Sequence, residues 1–240
     1  VDEHAALIEY AVKHVASRVP VIAGTGANST AEAIELSGHA QKVGADISLS
    51  VVPYYNKPTQ EGLYRHFRKI AESVDMPQIL YNVPSRTIAD LHNDTVFRLA
   101  EVDNIIGVKD ATGDMSRGAD LINRTPKDFV VYSGDDATFM ALMMLGSQGV
   151  ISVTANVVPK EIQLVCDAIL AGDYQKARSM NDQLSLLNTN LFVEANPIPV
   201  KWALERMGKI HAGIRLPLTD LDEKFHQVVL DSLTHVGIRL

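Results

Sequence analysis

The 240-residue chain has one cysteine, no cluster of basic residues and no apolar run longer than a strand. Each shortage removes a class of protein. A single cysteine excludes an internal disulfide framework and suits a reducing, cytoplasmic setting. Cys166 falls in the amphipathic run Glu161-Ile162-Gln163-Leu164-Val165-Cys166 and reads as a packed thiol rather than a nucleophile. Lys and Arg total 22 against 29 Asp and Glu, a formal net charge of -7. Without grouped Lys and Arg there is no footprint for nucleic-acid phosphates. The apolar runs are broken by Gly, Pro or charge well short of the roughly 20 residues that a membrane-spanning helix requires. The chain shows no signal peptide and does not begin with Met. No His or Cys pair has metal-ligand spacing and no Gly-rich loop matches a phosphate cradle, so neither a metal nor a nucleotide cofactor is implied. Partners are expected among small molecules and further copies of the chain.

What the chain has is a repeat. With 46% hydrophobic and 21% charged residues it reads as a soluble globular protein able to bury a real core. Short apolar runs recur at residues 19–23, 47–52, 78–83, 104–109, 129–133 and 149–153. Their spacing is that of a strand plus a returning helix, and helix-period stretches fill the gaps at 30–42, 59–73, 93–99, 116–123 and 138–145. Strands with little polar alternation are those of a parallel sheet covered by helices. After the sixth strand only helical patterns remain, at 159–171, 173–192, 199–207 and 220–236. Gly172 and Gly208 are placed to end helices, and Pro197 and Pro199 form a stiff corner before Trp202. The expected organisation is a β/α barrel portion at 1–158 and a C-terminal helical domain at 159–240. Six βα units are two short of a closed (β/α)8 barrel, and the chain opens in a helical stretch, 2–15, with no strand before it. Two βα units upstream are therefore expected; a six-strand open sheet is the alternative.

In such architectures the carboxyl ends of the strands gather the chemistry on one face. Lys109 is the most informative residue there. It closes the run Asn104-Ile105-Ile106-Gly107-Val108-Lys109, where desolvation favours the neutral amine that a Schiff-base nucleophile requires. The other strand ends offer Gly24-Thr25-Gly26-Ala27-Asn28, Pro53-Tyr54-Tyr55-Asn56, Tyr81-Asn82-Val83-Pro84-Ser85-Arg86-Thr87, Ser133-Gly134-Asp135-Asp136 and Ile151-Ser152-Val153-Thr154-Ala155-Asn156. Tyr81, on the adjacent strand, is the phenol best placed to shuttle protons to and from an imine. Arg86 offers a bidentate fork for a carboxylate, against the plainer reading of a loop ion pair.

The motifs Pro53-Tyr54-Tyr55-Asn56, Tyr81-Asn82-Val83-Pro84-Ser85-Arg86-Thr87 and Ser133-Gly134-Asp135-Asp136, with Gly107-Val108-Lys109-Asp110-Ala111-Thr112-Gly113, resemble the dihydrodipicolinate synthase family, class I aldolase-type members of the N-acetylneuraminate lyase superfamily, over essentially the whole chain. The resemblance implies a (β/α)8 barrel with a C-terminal helical domain, assembled as a homotetramer of two tight dimers. It implies condensation of pyruvate with L-aspartate 4-semialdehyde in diaminopimelate and lysine biosynthesis, with no cofactor besides the covalent imine. Carried over by position, Lys109 is the imine residue, Tyr81 the proton-transferring phenol, and Arg86 the semialdehyde-carboxylate ligand. Gly134 and Ile151 line the pyruvate pocket with backbone, and Tyr55 is the tyrosine passed into the neighbouring subunit's relay. His4, Asn28, Glu32 and Tyr54 match the pocket in which L-lysine inhibits the family. The family's first two strands, and the Gly-Thr-Thr-Gly-Glu type loop that supplies a relay threonine, have no match in this sequence, and Asp110 stands where the family often has Glu. Two other readings remain open at this point: another pyruvate-dependent lyase of the superfamily acting on a sugar acid, and an inactive pseudoenzyme or lysine-binding scaffold.

Overall fold

Runs of Ile, Val and Leu too short for a helix form parallel strands, and the amphipathic stretches between them form the returning helices. The computed structural model describes residues 2–240 and divides into two compact units, the first ending at Gly134 and the second comprising Asp135–Leu240. The first unit contains α1 (Asp2–Val15), β1 (Ile22–Gly24), α2 (Thr30–Val43), β2 (Ile47–Val51), α3 (Gln60–Ser73), β3 (Gln78–Asn82), α4 (Pro84–Thr87), α5 (Asn93–Leu99), β4 (Ile105–Asp110), α6 (Met115–Arg124) and β5 (Val130–Ser133). The second contains α7 (Phe139–Met144), β6 (Gly149–Val150), α8 (Pro159–Leu170), α9 (Tyr174–Asn190), α10 (Ile198–Arg206) and α11 (His226–His235). All six expected strands are present.

Strands β1 to β5 stand in chain order, every neighbouring pair parallel. Right-handed crossovers that always step in the same direction put every helix on one face. A doubly wound open sheet must instead reverse its strand order. The arrangement is thus an arc of βα barrel, and the open-sheet alternative falls away.

The helix-facing side is apolar. Leu80, Val108 and Val131 share one core with Leu63 and Phe67 of α3, Val96 and Leu99 of α5, and Leu121 of α6. Helix α3 shows why it forms where it does. Thr59 caps it by accepting the Gly62 N–H at 3.2 Å, and Leu63, His66, Phe67, Ile70 and Ala71 make one buried stripe at helical spacing. Burying each large apolar side chain of that stripe stabilises by about 1.5–3 kcal/mol. Because alternate strand residues face opposite ways, Tyr81 and Lys109 stand on the side turned away from the helices.

The second unit has its own core, built on Phe139, Val165, Leu184, Leu187, Val229 and Leu233. Gly172 and Gly208 both take positive φ, 77° and 65°, just past α8 and α10, as expected of helix terminators.

Three local departures have physical causes. Strand β1 starts at Ile22 rather than residue 19, because Pro20 has no N–H to pair and Val19 lies exposed. Strand β6 stops at Val150, because Val153 and Thr154 turn to give their N–H groups to the buried Asp136 carboxylate at 2.8 and 3.4 Å, with the Ser152 hydroxyl as a third donor. The segment after β3 forms the four-residue helix α4, opened by Pro84 and closed by Ile88 at a φ of 65°. A β-branched residue in that left-handed region stores strain, on the order of 1–3 kcal/mol.

Candidate active site

Strands β3 and β4 pair so that Tyr81 stands beside Lys109. The ammonium position Nζ is 4.1 Å from the centre of the Tyr81 ring, a cation–π distance. Lys109 is only 9% exposed, the setting the sequence led one to expect. Burial pushes the Tyr81 phenol above its ordinary range, and the positive charge of Arg86 works against that rise. Tyr81 is therefore a neutral phenol at pH 7, able to give or accept a proton through its hydroxyl.

Gly134 completes this corner. Its N–H bonds to the Asp110 carbonyl at 2.8 Å, and a Cβ built on it would lie 2.7 Å from both Lys109 Cε and Ala111 Cβ. Only glycine lets the backbone approach the lysine stem so closely. Arg86 lies on the exposed side of α4, directly after the strand that carries Tyr81. Tyr132 of β5 is in register with Lys109 on its other side; it is half-buried and shares Lys109's face. It escaped the sequence reading because it lies inside a strand rather than at its end.

The helix-facing side behind these residues turns polar at the strand ends. Asn82 follows Tyr81, Asp110 follows Lys109, and the two are register partners. Asn82 Nδ2 donates to Asp90 at 2.8 Å, and Asn82 Oδ1 accepts the Leu91 N–H at 2.9 Å. Arg117 of α6 donates to the Asp90 carboxylate at 3.0 Å and to the Leu91 carbonyl. Its Nε lies 3.9 Å from Asp110 Oδ1, while Asp110 Oδ2 accepts the Thr112 hydroxyl at 2.9 Å. Burial pushes the Asp110 carboxyl up, opposed by Thr112 and Arg117. Burial also raises Asp90, but hydrogen bonds from Asn82 and Arg117 outweigh it and hold that carboxyl below the usual range. The sequence did carry a signal here: polar residues in the helix-facing slots of apolar strands.

Tyr55 is 92% exposed at a φ of 74°, and Tyr54 beside it is also exposed. Asn56 ties their loop to the preceding one by donating to the Asn28 carbonyl at 2.8 Å. His4, on α1, reaches the Gly24 carbonyl through Nε2 at 2.7 Å, and Glu32 sits in the first turn of α2. His4, Asn28, Glu32 and Tyr54 thus all belong to the first unit, on α1, α2 and the loops after β1 and β2. Ile151 is in the second unit, half-buried just past β6. Cys166 has its thiol pushed up to about 11 by burial and by the neighbouring Asp167 charge, which leaves it unreactive at neutral pH.

Residues 1–236 match the family model described as the dihydrodipicolinate synthetase family. The chain is 62% identical over 239 residues to 4-hydroxy-tetrahydrodipicolinate synthase of Nitrosospira multiformis, spanning 100% of this chain and 80% of that protein. It is 61% identical over 239 residues to the same-named protein of an Azoarcus species, spanning 100% and 82%. Among solved structures, a chloride-inhibited dihydrodipicolinate synthase from Acinetobacter baumannii complexed with pyruvate matches at a TM-score of 0.97 and 54% identity, over 99% of this chain and 82% of that one. A DHDPS from Cyanidioschyzon merolae with lysine bound matches at 0.96 and 39%, over 99% and 81%.

Proposed function

The chain belongs to the dihydrodipicolinate synthetase family, and on that premise we propose how its strand-end residues divide the work of the reaction. It is a lyase of lysine and diaminopimelate biosynthesis that condenses pyruvate with L-aspartate 4-semialdehyde.

Lys109, as the neutral amine, attacks C2 of pyruvate; the carbinolamine loses water and leaves an imine. The imine withdraws electrons from C3, a proton leaves, and the enamine adds through C3 to the aldehyde carbon of the second substrate, whose oxygen takes up a proton. No cofactor is needed beyond the imine itself. Tyr81 carries the protons that dehydration and enamine formation move, since its neutral phenol lies against the lysine amine. Arg86 binds the semialdehyde carboxylate as a bidentate fork. Backbone at Gly134 lines the pyruvate pocket, where any side chain collides with the lysine stem.

Tyr55 serves the site of a second copy, in a cytoplasmic homo-oligomer, dimer or tetramer. Its exposed phenol in a strained backbone conformation supports that role. L-Lysine binds among His4, Asn28, Glu32 and Tyr54, a reading supported by the lysine-bound relative. Calorimetric titration with L-lysine is expected to give saturable binding, and a flat titration counts against this pocket.

The single observation that carries the proposal is the buried Lys109 amine held 4.1 Å from the Tyr81 ring. Borohydride reduction in the presence of pyruvate is expected to add one reduced pyruvate to Lys109, read by peptide mass. Absence of that adduct removes Lys109 from its role.

A further inference from the structure

The corner that holds Lys109 and Tyr81 has a second side. Strand β3 ends Tyr81-Asn82 and strand β4 ends Lys109-Asp110, in register, so the two chemical residues point one way and their followers point the other. On the helix side, Leu80 and Val108 occupy the preceding slots and are fully packed. The last slot, directly behind the chemistry, is polar on both strands. Asn82 and Asp110 are 1% and 4% exposed there.

Packing alone does not account for that choice. A buried amide and carboxylate stabilise less than well-packed aliphatic groups would, since removing charge and polarity from water costs several kcal/mol that the pairing only offsets. What directional bonds supply and aliphatic packing does not is a fixed register. Asn82 spends both ends of its amide on the segment Asp90-Leu91, and Arg117 grips that same carboxylate and the Leu91 carbonyl from α6. The guanidinium edge then faces Asp110, whose other oxygen is held by Thr112. Both strand ends are thereby referred to one clamp.

We propose that Asn82, Asp90, Arg117 and Asp110 form a positioning network that sets the Tyr81–Lys109 spacing from the back of the sheet. It acts through the backbone of residues 81–82 and 109–110 and touches no substrate. The proposal rests on the reading of Lys109 as the imine residue.

The test is Arg117→Met in the full chain, which keeps an apolar stem and removes the donors. The expected result is a kcat at least tenfold lower, a pyruvate KM within twofold, a proportionally slower borohydride trapping of Lys109, and a crystal structure with Nζ further than 4.1 Å from the Tyr81 ring centre. Arg117→Met with wild-type kcat and spacing, or with KM raised and kcat unchanged, overturns the network while the wild-type adduct leaves Lys109 in its role. A wild type that traps no pyruvate overturns both. Two gentler variants keep the question open to refutation should Arg117→Met fail to fold. Thr112→Val removes one hydroxyl and is expected to lower kcat about threefold at constant KM. Asp110→Glu lengthens the carboxylate toward Nε across the present 3.9 Å gap and is expected to retain kcat within twofold. Equal losses of activity and of thermal stability in Thr112→Val, or no loss of activity in it, overturn the proposal.

Discussion

A Cβ on Gly134 would stand 2.7 Å from Cε of Lys109. No rotation of a methyl group relieves that contact, because the backbone fixes the Cβ position, and Ala111 Cβ lies equally close. Gly134→Ala therefore has to move the lysine stem or the strand end. Misplacing a reacting group by about 1 Å costs on the order of 10²-fold in rate, and overpacking costs about 1–3 kcal/mol. Steady-state kinetics of Gly134→Ala should show kcat reduced at least tenfold, with a melting temperature a few degrees lower. Wild-type kcat in this variant would mean that the strand end yields without disturbing the amine.

Tyr81→Phe keeps the ring beneath the amine and removes only the hydroxyl. General acid–base assistance of this kind is worth about 10²–10⁴. Turnover is expected to fall by at least 100-fold while the melting temperature stays nearly constant, and borohydride still traps pyruvate on Lys109, more slowly. Unchanged turnover would assign the proton transfers to another group.

Tyr55 gives a prediction about mixtures rather than single variants. Lys109→Ala and Tyr55→Phe are each expected to be nearly inactive alone. Unfolded together and refolded, they form hybrids in which one site regains its own lysine and the neighbour's phenol, and random pairing restores about a quarter of wild-type activity. If the mixture stays as inactive as its parts, Tyr55 does not serve a neighbouring subunit.

His66 carries a pH dependence of stability. Its Nδ1 is 2.9 Å from the Thr30 hydroxyl, its Nε2 is buried with no hydrogen-bond partner, and burial pushes its pKa from 6.5 down to about 4. Between those values the unfolded chain binds a proton that the folded chain resists, so stability is complete above about pH 6.5 and is lost as the pH falls toward 4. The loss is on the order of 3 kcal/mol. Melting curves from pH 7 to 4.5 should fall less steeply for His66→Gln than for the wild type; parallel curves would place the proton elsewhere.

The strand order and the reactive lysine were legible because both are local. Each strand is a short, mostly apolar run, and Lys109 is a charge at the end of one. Tyr81 was legible for the same reason. Arg117 was not, since its partner Asp90 is far off in sequence and their meeting depends on α6 returning over β3 and β4. Helix α4 escaped because four residues are too few to show a period, and Tyr132 because a residue in mid-strand reveals its neighbour only through register. Motif comparison named Tyr55, but its exposure is a property of the folded loop.

Strands β2, β3 and β4 each pair with the strand made just before and the one made just after. Closing a loop costs entropy that grows only with the logarithm of its length, so each repeat in this sheet docks at nearly the same cost as the last. Synthesis releases about 5–20 residues per second, far slower than a hairpin or helix forms. A strand leaving the ribosome after β1 thus finds its preceding partner already waiting, and the later strands that could mispair with it do not yet exist.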